Sequence, residues 1–341
     1  MSRPKIGLAL GSGGARGWAH IGVLRVLARE GIVPDIVSGT SIGALVGGCY
    51  VAGKLDELED FAIGLTRRRI LGLLDFRLPA SGLIGDSKLE KLLGEHLGDT
   101  LIEDMDRVFV SVATELATGH EVWMHEGNLI QAMRASYAIP GLFPPVLHER
   151  RWLIDGALVN PVPVSVCRAL GARVVIAVNL NTDPFDRSGQ SRDRRPSLYI
   201  SHPPAAAEAD MADTELEEVS DSATSHSEAR PIVERLRGAL ERVRNRTLLA
   251  EAEPQKKALA HTDKRQPGPG FATVLLASLN IVQDRIARLR MAGDPPDVLM
   301  APAMGDYTPA DFDKAAGLIE SGTEAAEAAL PAIHEAIKML S

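Results

Sequence analysis

The segment that most constrains this 341-residue chain lies between a short apolar run and a run of small residues. Residues 39–43, GTSIG, follow IVS and precede ALVGG. This order predicts a strand, a sharp turn and a helix, and G-x-S-x-G in that setting is typical of a nucleophile elbow. Gly39 and Gly43 suit a turn in which a Cβ would clash. Ser41 would then stand at the tip of the turn, beside the positive end of the helix. An ordinary turn with a capping serine explains the pentapeptide alone equally well.

A glycine-rich loop, GSGGARG at residues 11–17, follows a strand predicted at residues 5–10 and precedes a helical pattern. A dinucleotide-binding loop is disfavoured, because Arg16 stands where the last glycine of G-x-G-x-x-G is needed and no acidic residue closes the next strand. Consecutive glycines also let backbone N–H groups converge on an oxyanion. Arg16 would then lock the loop or meet an anionic substrate. A plain tight turn between strand and helix remains open.

A third segment places an acidic residue at the end of a short predicted strand. Residues 151–154 are predicted to form a short strand, and Asp155-Gly156 follows directly. Asp followed by Gly is also a common turn, so this pair alone indicates little. Strands and helices alternate along residues 5–182, which predicts a mostly parallel sheet covered on both faces.

Composition narrows the class of protein. The chain is 45% apolar and 24% charged, as soluble globular proteins are. A formal net charge of −8 argues against a nucleic-acid partner. Cys49 and Cys167 lie in apolar helical contexts without a CxxC or Cys/His cluster, so we expect buried free thiols, no metal site and a reducing cytoplasm. The first residues lack signal-peptide organisation, and no apolar stretch is long enough to span a bilayer. Any membrane association is expected to be peripheral, on the inner face.

Residues 183–270 differ sharply in composition from the rest. They are polar and rich in Ser, Asp, Glu, Arg and Pro, which predicts a largely disordered insertion. Within it, residues 231–251 form an amphipathic pattern flanked by arginines, which fits an anionic membrane, a partner, or a helix loosely docked on its own domain. Ordered elements are expected again from residue 271, with Pro331 at a helix break or start.

The arginines at 67–69 are interpreted as a helix end followed by a buried loop, with a membrane or acyl contact as the alternative.

A nucleophilic serine needs a base, and the histidines are poorly placed for that role. In α/β-hydrolases the triad runs Ser, Asp, His, and several strands precede the elbow. Here one strand precedes the segment that leads into Ser41, and three of the histidines after Asp155 fall in the predicted insertion. The histidines that follow Asp155 are His202, His226, His261 and His334. A Ser–Asp dyad is therefore the more natural arrangement.

Taken together and in this order, GSGGARG, GTSIG and DGA at 155–157 resemble the patatin-like phospholipase family. ASYAIPG from residue 135 and DGALVNP from residue 155 are similar to its bacterial members that resemble the catalytic domain of neuropathy target esterase. The resemblance covers residues 5–182 strongly and 271–305 more weakly. It implies a three-layer α/β/α fold, with residues 5–182 and 271–340 forming one domain around the insertion. Ser12 departs from the glycine that many members carry there.

The resemblance also implies an activity and a set of roles. Ser41 would be the nucleophile and Asp155 the general base, with the Gly13 and Gly14 N–H groups as the oxyanion hole and Arg16 nearby. The supporting motif glycines are Gly11, Gly17, Gly39, Gly43 and Gly156. The implied function is a serine acyl-ester hydrolase, a phospholipase A or lysophospholipase, that acts on phospholipid or lysophospholipid without a cofactor. The alternative is a catalytically idle module of this fold that binds a membrane or a regulatory partner.

Overall fold

The computed structural model of the protein describes residues 3–73, 87–181, 271–305 and 307–340. The predicted insertion at 183–270, with its amphipathic segment, lies outside the described residues, so the predicted division of the chain stays a prediction. The strands are β1 Ile6–Leu10, β2 Ile36–Thr40, β3 Val108–Glu115, β4 Glu121–Met124, β5 Val146–His148, β6 Arg151–Asp155, β7 Val174–Val178 and β8 Val298–Met300. The α-helices are α1 Ala19–Arg29, α2 Ile42–Val51, α3 Leu55–Ile63, α4 Arg67–Leu73, α5 Ser87–Leu97, α6 Leu129–Tyr137, α7 Val164–Ala169, α8 Phe271–Gly293 and α9 Ala315–Leu340.

One eight-stranded sheet organises the described part of the chain. Hydrogen-bonded pairs run in the order β5-β6-β3-β2-β1-β7-β8, with β4 also paired to β3. The pairs from β3 through β2, β1 and β7 to β8 are parallel, whereas β4, β6 and β5 pair antiparallel. The predicted mostly parallel sheet is confirmed, with an antiparallel extension at the β3 end.

Helices cover both faces of the parallel part, because its strands are apolar on both sides. In β1 and β7 every residue is buried, as expected for strands between two helical layers. Leu8 and Leu10 face one core cluster, built with α1, α2, α6 and α9, and Ala9 faces a second, built with α7 and Ala287 of α8. Alternate residues of one strand thus serve opposite layers, which is the predicted three-layer α/β/α arrangement.

Two strands that lead toward the candidate site end at neighbouring positions on β3. Thr40, the last residue of β2, lies opposite Val112. Asp155, the last residue of β6, lies opposite the next β3 residue, Ala113. Because β2 runs parallel and β6 antiparallel to β3, their carboxyl ends point toward each other.

Both strands occupy the same edge of β3. N–H groups of alternate residues in a strand point to the same edge. Val108 donates its N–H to the carbonyl of Asp35 just before β2, and Leu116 donates to the carbonyl of Trp152 in β6. Val108 is the first residue of β3 and Leu116 directly follows its last, and the two are an even number of positions apart, so β2 and β6 meet end to end. This meeting brings the residue after Thr40 next to Asp155.

Two local expectations were wrong. Pro331 lies inside α9 and neither starts nor ends it; burial of residues on both sides of the proline, Ala326 and Ile333 among them, holds the helix through that point. The arginines at 67–69 open α4 and do not close the preceding helix, which ends at Ile63. The short strand β5, at the end of the stretch AIPGLFPPV at residues 138–146, was not anticipated.

Candidate active site

Ser41 has a backbone conformation that side-chain-bearing residues rarely adopt. Its φ is 57° and its ψ is −123°, between the last residue of β2 and the first of α2. Such a conformation persists only where the surroundings hold it, and it is concentrated at functional sites. The Ser41 carbonyl accepts the N–H groups of Ala44 at 2.9 Å and Leu45 at 3.2 Å, so α2 starts directly from this residue. Residues 39–43 thus form the predicted strand, sharp turn and helix.

The Ser41 hydroxyl contacts the carboxylate of Asp155. Its Oγ donates a hydrogen bond to Asp155 Oδ2 at 2.6 Å, although the two residues are 114 positions apart. Ser41 is 5% exposed and Asp155 is 1% exposed. The other carboxylate oxygen accepts the N–H of Ala157 at 2.8 Å, and the Thr114 hydroxyl donates to the Asp155 carbonyl at 2.9 Å. These bonds fix both the plane of the carboxylate and the strand end that carries it.

The burial of Asp155 changes its acidity. Removal from water raises the pKa of Asp155 from 3.8 to about 6, against the hydrogen bonds from Ser41 and Ala157, which lower it. At neutral pH the carboxyl is therefore still ionised. It accepts a proton more readily than a solvated aspartate does, because its pKa lies nearer the ambient pH.

Three of the motif glycines are required by close backbone contacts. A Cβ on Gly39 would lie 2.6 Å from backbone atoms of α2. A Cβ on Gly43 would meet the carbonyl oxygen of Leu10, and one on Gly156 would meet that of Val112. The elbow thus lies against the end of β1, and the Asp155 turn lies against β3, at distances that leave no room for a side chain.

The glycine-rich loop lies directly beside the elbow. A Cβ on Gly17 would overlap the side chain of Ile42, the residue after Ser41. A Cβ on Gly43 would also lie 2.8 Å from the carbonyl oxygen of Gly11. The loop and the turn at Ser41 therefore contact each other on both sides, which is the placement that an oxyanion site beside Ser41 would need.

Bonds at both ends hold the glycine-rich loop in place. Gly11 donates its N–H to β7 at 3.0 Å, and Ala15 donates to the Pro309 carbonyl at 2.8 Å. Gly14 lies in the left-handed region, with φ of 57°, and starts a short 3-10 helix. Within the described residues, no backbone acceptor outside the loop takes the N–H of Gly13 or Gly14. These are the two groups that the family resemblance implies as oxyanion donors.

The side chain of Arg16 holds the glycine-rich loop in place through its hydrogen bonds. It is 3% exposed, and its Nε donates to the Gly13 carbonyl at 3.3 Å. Its Nη2 donates to Asn181 Oδ1 at 3.1 Å and to Asn280 Oδ1 at 2.8 Å. Asn181 in turn donates from Nδ2 to the Ser12 hydroxyl at 3.1 Å, which gives the serine at this glycine position a partner. The loop-locking interpretation of Arg16 fits this geometry.

Some site residues were missed by sequence reasoning. Asn280 lies on α8, far beyond Asn181 in the chain, and nothing in its local pattern indicated a role. Ser136, near the end of α6, is fully buried and accepts the Ser41 N–H at 2.8 Å. Its neighbours in ASYAIPG had drawn attention to the segment, but not to this hydroxyl.

The buried histidine near the loop does not serve Ser41. His20, on α1, is fully buried, and its Nε2 bonds with the Gly11 carbonyl at 2.8 Å. Burial lowers its pKa to about 4, so the ring is neutral at physiological pH. It braces the glycine-rich loop, while the hydrogen bond that the Ser41 hydroxyl donates goes to Asp155.

Other features of the described residues bear on the chemistry. They hold no group of three or more His, Cys, Asp or Glu side chains arranged to bind a metal ion. Cys49 and Cys167 are both buried and free, as predicted, and burial raises the pKa of each thiol to about 12. Among the described helices, none combines the length and apolar character needed to cross a membrane.

Comparison with known proteins identifies the family of this chain. The family model described as patatin-like phospholipase matches residues 8–168, which contain all three motifs. An uncharacterized NTE family protein from Mycobacterium tuberculosis is 33% identical over 349 residues, covering 98% of this chain and 93% of that protein. A second NTE family protein from the same organism is 38% identical over 178 residues, covering 51% of this chain and 30% of its own length.

Other similarities cover about half of this chain. A patatin-like phospholipase domain-containing protein from Caenorhabditis elegans is 37% identical over 183 residues, covering 52% of this chain and 14% of that protein. The crystal structure of VipD from Legionella pneumophila covers 46% of each chain at 15% identity with a TM-score of 0.28, which is too low to carry an argument. The matches over nearly the full length, together with the family model, show that this chain belongs to the patatin-like phospholipase family, among its NTE family proteins.

Proposed function

We propose that the protein is a serine acyl-ester hydrolase in which Ser41 and Asp155 form a catalytic dyad. The observation that carries the proposal is the 2.6 Å hydrogen bond from the Ser41 hydroxyl to a buried carboxylate. Family membership supports acyl hydrolysis of lipids in general. The dyad and the type of ester are our own assignment.

In the first half-reaction, Asp155 acts as the general base. Ser41 Oγ attacks the ester carbonyl carbon while its proton passes to Asp155 Oδ2, and the carbonyl oxygen becomes an oxyanion. The tetrahedral intermediate then collapses. The alcohol leaves with the proton from Asp155, and the acyl group stays on Ser41. General-base catalysis of this kind contributes a factor of about 10²–10⁴ to the rate.

In the second half-reaction, water replaces the alcohol. Asp155 takes a proton from the water as its oxygen attacks the acyl carbon, and the proton is returned to Ser41 Oγ as the carbon–oxygen bond breaks. The fatty acid is released and the dyad is restored. The scheme closes without a metal or cofactor.

The N–H groups of Gly13 and Gly14 are the proposed oxyanion donors. Their support is the contact between the glycine-rich loop and the elbow, and the bonds from Arg16 and Ala15 that hold the loop still. A donor that is held in place before the reaction begins costs no reorganisation, and one such donor is worth about 3–4 kcal/mol in the transition state.

The proposed substrates are phospholipids or lysophospholipids, cleaved in the manner of phospholipase A or lysophospholipase. The test is hydrolysis of a medium-chain p-nitrophenyl ester and of a lysophospholipid by the wild type and by Ser41→Ala and Asp155→Ala variants. We expect the wild type to turn over both substrates and both variants to fall to background. Circular dichroism establishes that each variant is folded.

Ser38→Ala is a matched control for the serine variant. Ser38 is also buried in β2, three residues before Ser41, and its Oγ donates to the Pro163 carbonyl at 3.0 Å without contacting Asp155. The control should keep its activity. A folded wild type that is inactive on both substrates would favour the idle membrane- or partner-binding module, and an active Asp155→Ala would place the base elsewhere.

A further inference from the structure

We propose that Ser136 is a positioning residue for the nucleophile. Its hydroxyl is inserted between β2 and β3 where their ladder would otherwise continue, and it holds Ser41 in its strained conformation. The inference rests on the proposed function, because it assigns a role in presenting Ser41 for attack. It adds a residue that neither the elbow motif nor the dyad contains.

The ladder pattern identifies the place of the insertion. In a parallel pair, each bonding residue of one strand bridges the residues just before and just after its partner. Val112 is the partner of Thr40, so continuation of the ladder would have the N–H of Ser41 donate to the Val112 carbonyl. That direct bond is replaced by two bonds through a side chain. Ser136 Oγ accepts the Ser41 N–H at 2.8 Å and donates its own proton to the Val112 carbonyl at 2.5 Å.

The inserted hydroxyl lets the chain leave the sheet without leaving a buried N–H unpaired. Ser41 turns to a φ of 57° at this point, so its backbone departs from the strand geometry that a direct bond to β3 would impose. An unpaired N–H in a buried site is unfavourable, and a strained residue stays strained only while its surroundings oppose relaxation. The Ser136 hydroxyl meets both requirements with one oxygen atom.

Asp155, the proposed base, lies next to the same part of β3. The Val112 carbonyl, which accepts the Ser136 proton, is the atom that a Cβ on Gly156 would overlap. Gly156 follows Asp155 directly, and Asp155 pairs with the β3 residue after Val112. The Ser136 hydroxyl therefore lies where the turn at Ser41 and the turn at Asp155 both contact β3.

Helix α6 presents this hydroxyl from a fixed position. The helix begins at Leu129 and is capped by the preceding residue, Asn128, whose side chain accepts the N–H of Gln131 at 3.0 Å; most of the helix residues are buried. Ser136 itself has no exposed surface. A side chain held by a buried helix positions a reacting group more precisely than one on a free loop.

The test compares Ser136→Ala and Ser136→Cys with the wild type and with a control, Ser111→Ala. Ser111 is an equally buried serine, and its Oγ donates to the Ala132 carbonyl at 2.8 Å, so it also links β3 to α6. It does not contact Ser41. Ser136→Ala removes both the hydrogen bonds and the volume of the hydroxyl. Cysteine has nearly the volume of serine but is a weak acceptor, so Ser136→Cys tests the hydrogen bonds without leaving a gap.

Two readouts are measured on each folded variant, with the folded fraction taken from circular dichroism. They are kcat and KM for the p-nitrophenyl ester, and the second-order rate of phosphonylation of Ser41 by a fluorophosphonate. We expect both Ser136 variants to lose about 10²-fold in kcat, with KM within about twofold of wild type, because misplacement of a reacting group affects the transition state more than binding. Phosphonylation should slow in parallel.

A purely structural role predicts a different result. It would lower the melting temperature of the Ser136 and Ser111 variants alike and leave kcat per folded molecule unchanged. Wild-type rates in a folded Ser136→Cys would overturn the inference and leave the dyad intact. A wild type that neither hydrolyses the ester nor reacts with the fluorophosphonate would overturn the proposed function and the inference with it.

Discussion

At the Asp155 carboxyl, two effects act in opposite directions. Burial disfavours the charged form, while the bonds from Ser41 and Ala157 favour it, and burial is the larger, so the pKa rises to about 6. The residue gains basicity from a position that is unfavourable for its charge. At catalytic groups, the burial that shifts a pKa commonly also lowers the stability of the folded protein.

Activity should therefore report the ionisation of Asp155. Because the proposed base must be ionised to accept the Ser41 proton, kcat/KM should be level above about pH 7 and should fall about tenfold per pH unit below the pKa of about 6. A pH–rate profile with a soluble ester measures this. A midpoint near 4, the value for a solvated aspartate, would show that burial does not set the pKa of the base.

Stability should change in the opposite sense. A carboxyl whose pKa is higher in the folded than in the unfolded state binds its proton more tightly when folded, so stability is lost as pH rises from about 4 to about 6. The shift from 3.8 to about 6 corresponds to about 3 kcal/mol at neutral pH. Asp155→Asn should thus be more stable than wild type at about pH 8 by up to that amount, although inactive.

Urea unfolding of Asp155→Asn and wild type at about pH 8 and about pH 4 checks this prediction. The difference in the free energy of unfolding should shrink toward the lower pH, where the wild-type carboxyl is also neutral. A variant that is less stable than wild type at the higher pH would show that the bonds from Ser41 and Ala157 outweigh burial.

At the scale of elements, the site is made where β2 and β6 meet end to end on β3. Each strand leads at its carboxyl end to one of the two side chains of the proposed dyad, and the turns that follow are tight enough to require glycine. The glycine-rich loop after β1 contacts the same place, with its Gly17 against Ile42 and its Gly11 carbonyl against Gly43. Close backbone packing between these turns is therefore expected to matter as much as the side chains themselves.

Gly43→Ala tests this packing. The added Cβ would meet the Leu10 carbonyl, so α2 or β1 must shift, and we expect a loss of at least about 2 kcal/mol in the free energy of unfolding together with most of the activity. Gly94→Ala on α5 is the control, because its Cβ would meet nothing within 4 Å. The control should be slightly stabilising, by about 0.5–1 kcal/mol. Equal stability of both variants by chemical denaturation would contradict the packing argument.

At the scale of the whole molecule, residues from 271 onward add a strand to the sheet and helices to the layers that residues 3–181 form. β8 extends the sheet beside β7, and α8 supplies Asn280 to the glycine-rich loop. α9 packs on α1 through two glycines, since a Cβ on Gly22 would meet the Ile319 carbonyl and one on Gly322 would meet the Ala19 carbonyl. The two helices thus approach each other at backbone distance.

Gly322→Ala should therefore separate α9 from α1. We expect it to lower the free energy of unfolding by about 2 kcal/mol or more, because neither helix backbone can yield at that contact. Glu335→Ala, on an exposed position of the same helix, should change it by less than about 0.5 kcal/mol. Thermal unfolding followed by circular dichroism at 222 nm checks both, and unchanged stability of Gly322→Ala would show that the contact is looser than described.

Local patterns predicted much of this molecule, and long-range contacts account for the rest. Ser41 and Asp155 each lie in a turn that requires glycine neighbours, so the sequence marks both turns even though they are far apart. Ser136 and Asn280 lie within ordinary helical patterns, and only the packing of α6 and α8 brings them to the site. Pro331 was misjudged because the burial that holds α9 is a tertiary effect.

The proposed function depends on Ser41 being a nucleophile that Asp155 activates. The decisive measurement is the rate of fluorophosphonate labelling as a function of pH, in wild type and Asp155→Asn, with the modified residue located by peptide mass spectrometry. We expect an adduct on Ser41, a wild-type rate that rises with pH with a midpoint near 6, and labelling at least about 10²-fold slower in the variant. An adduct on another residue, or equal rates in the two proteins, would rule out the proposed dyad.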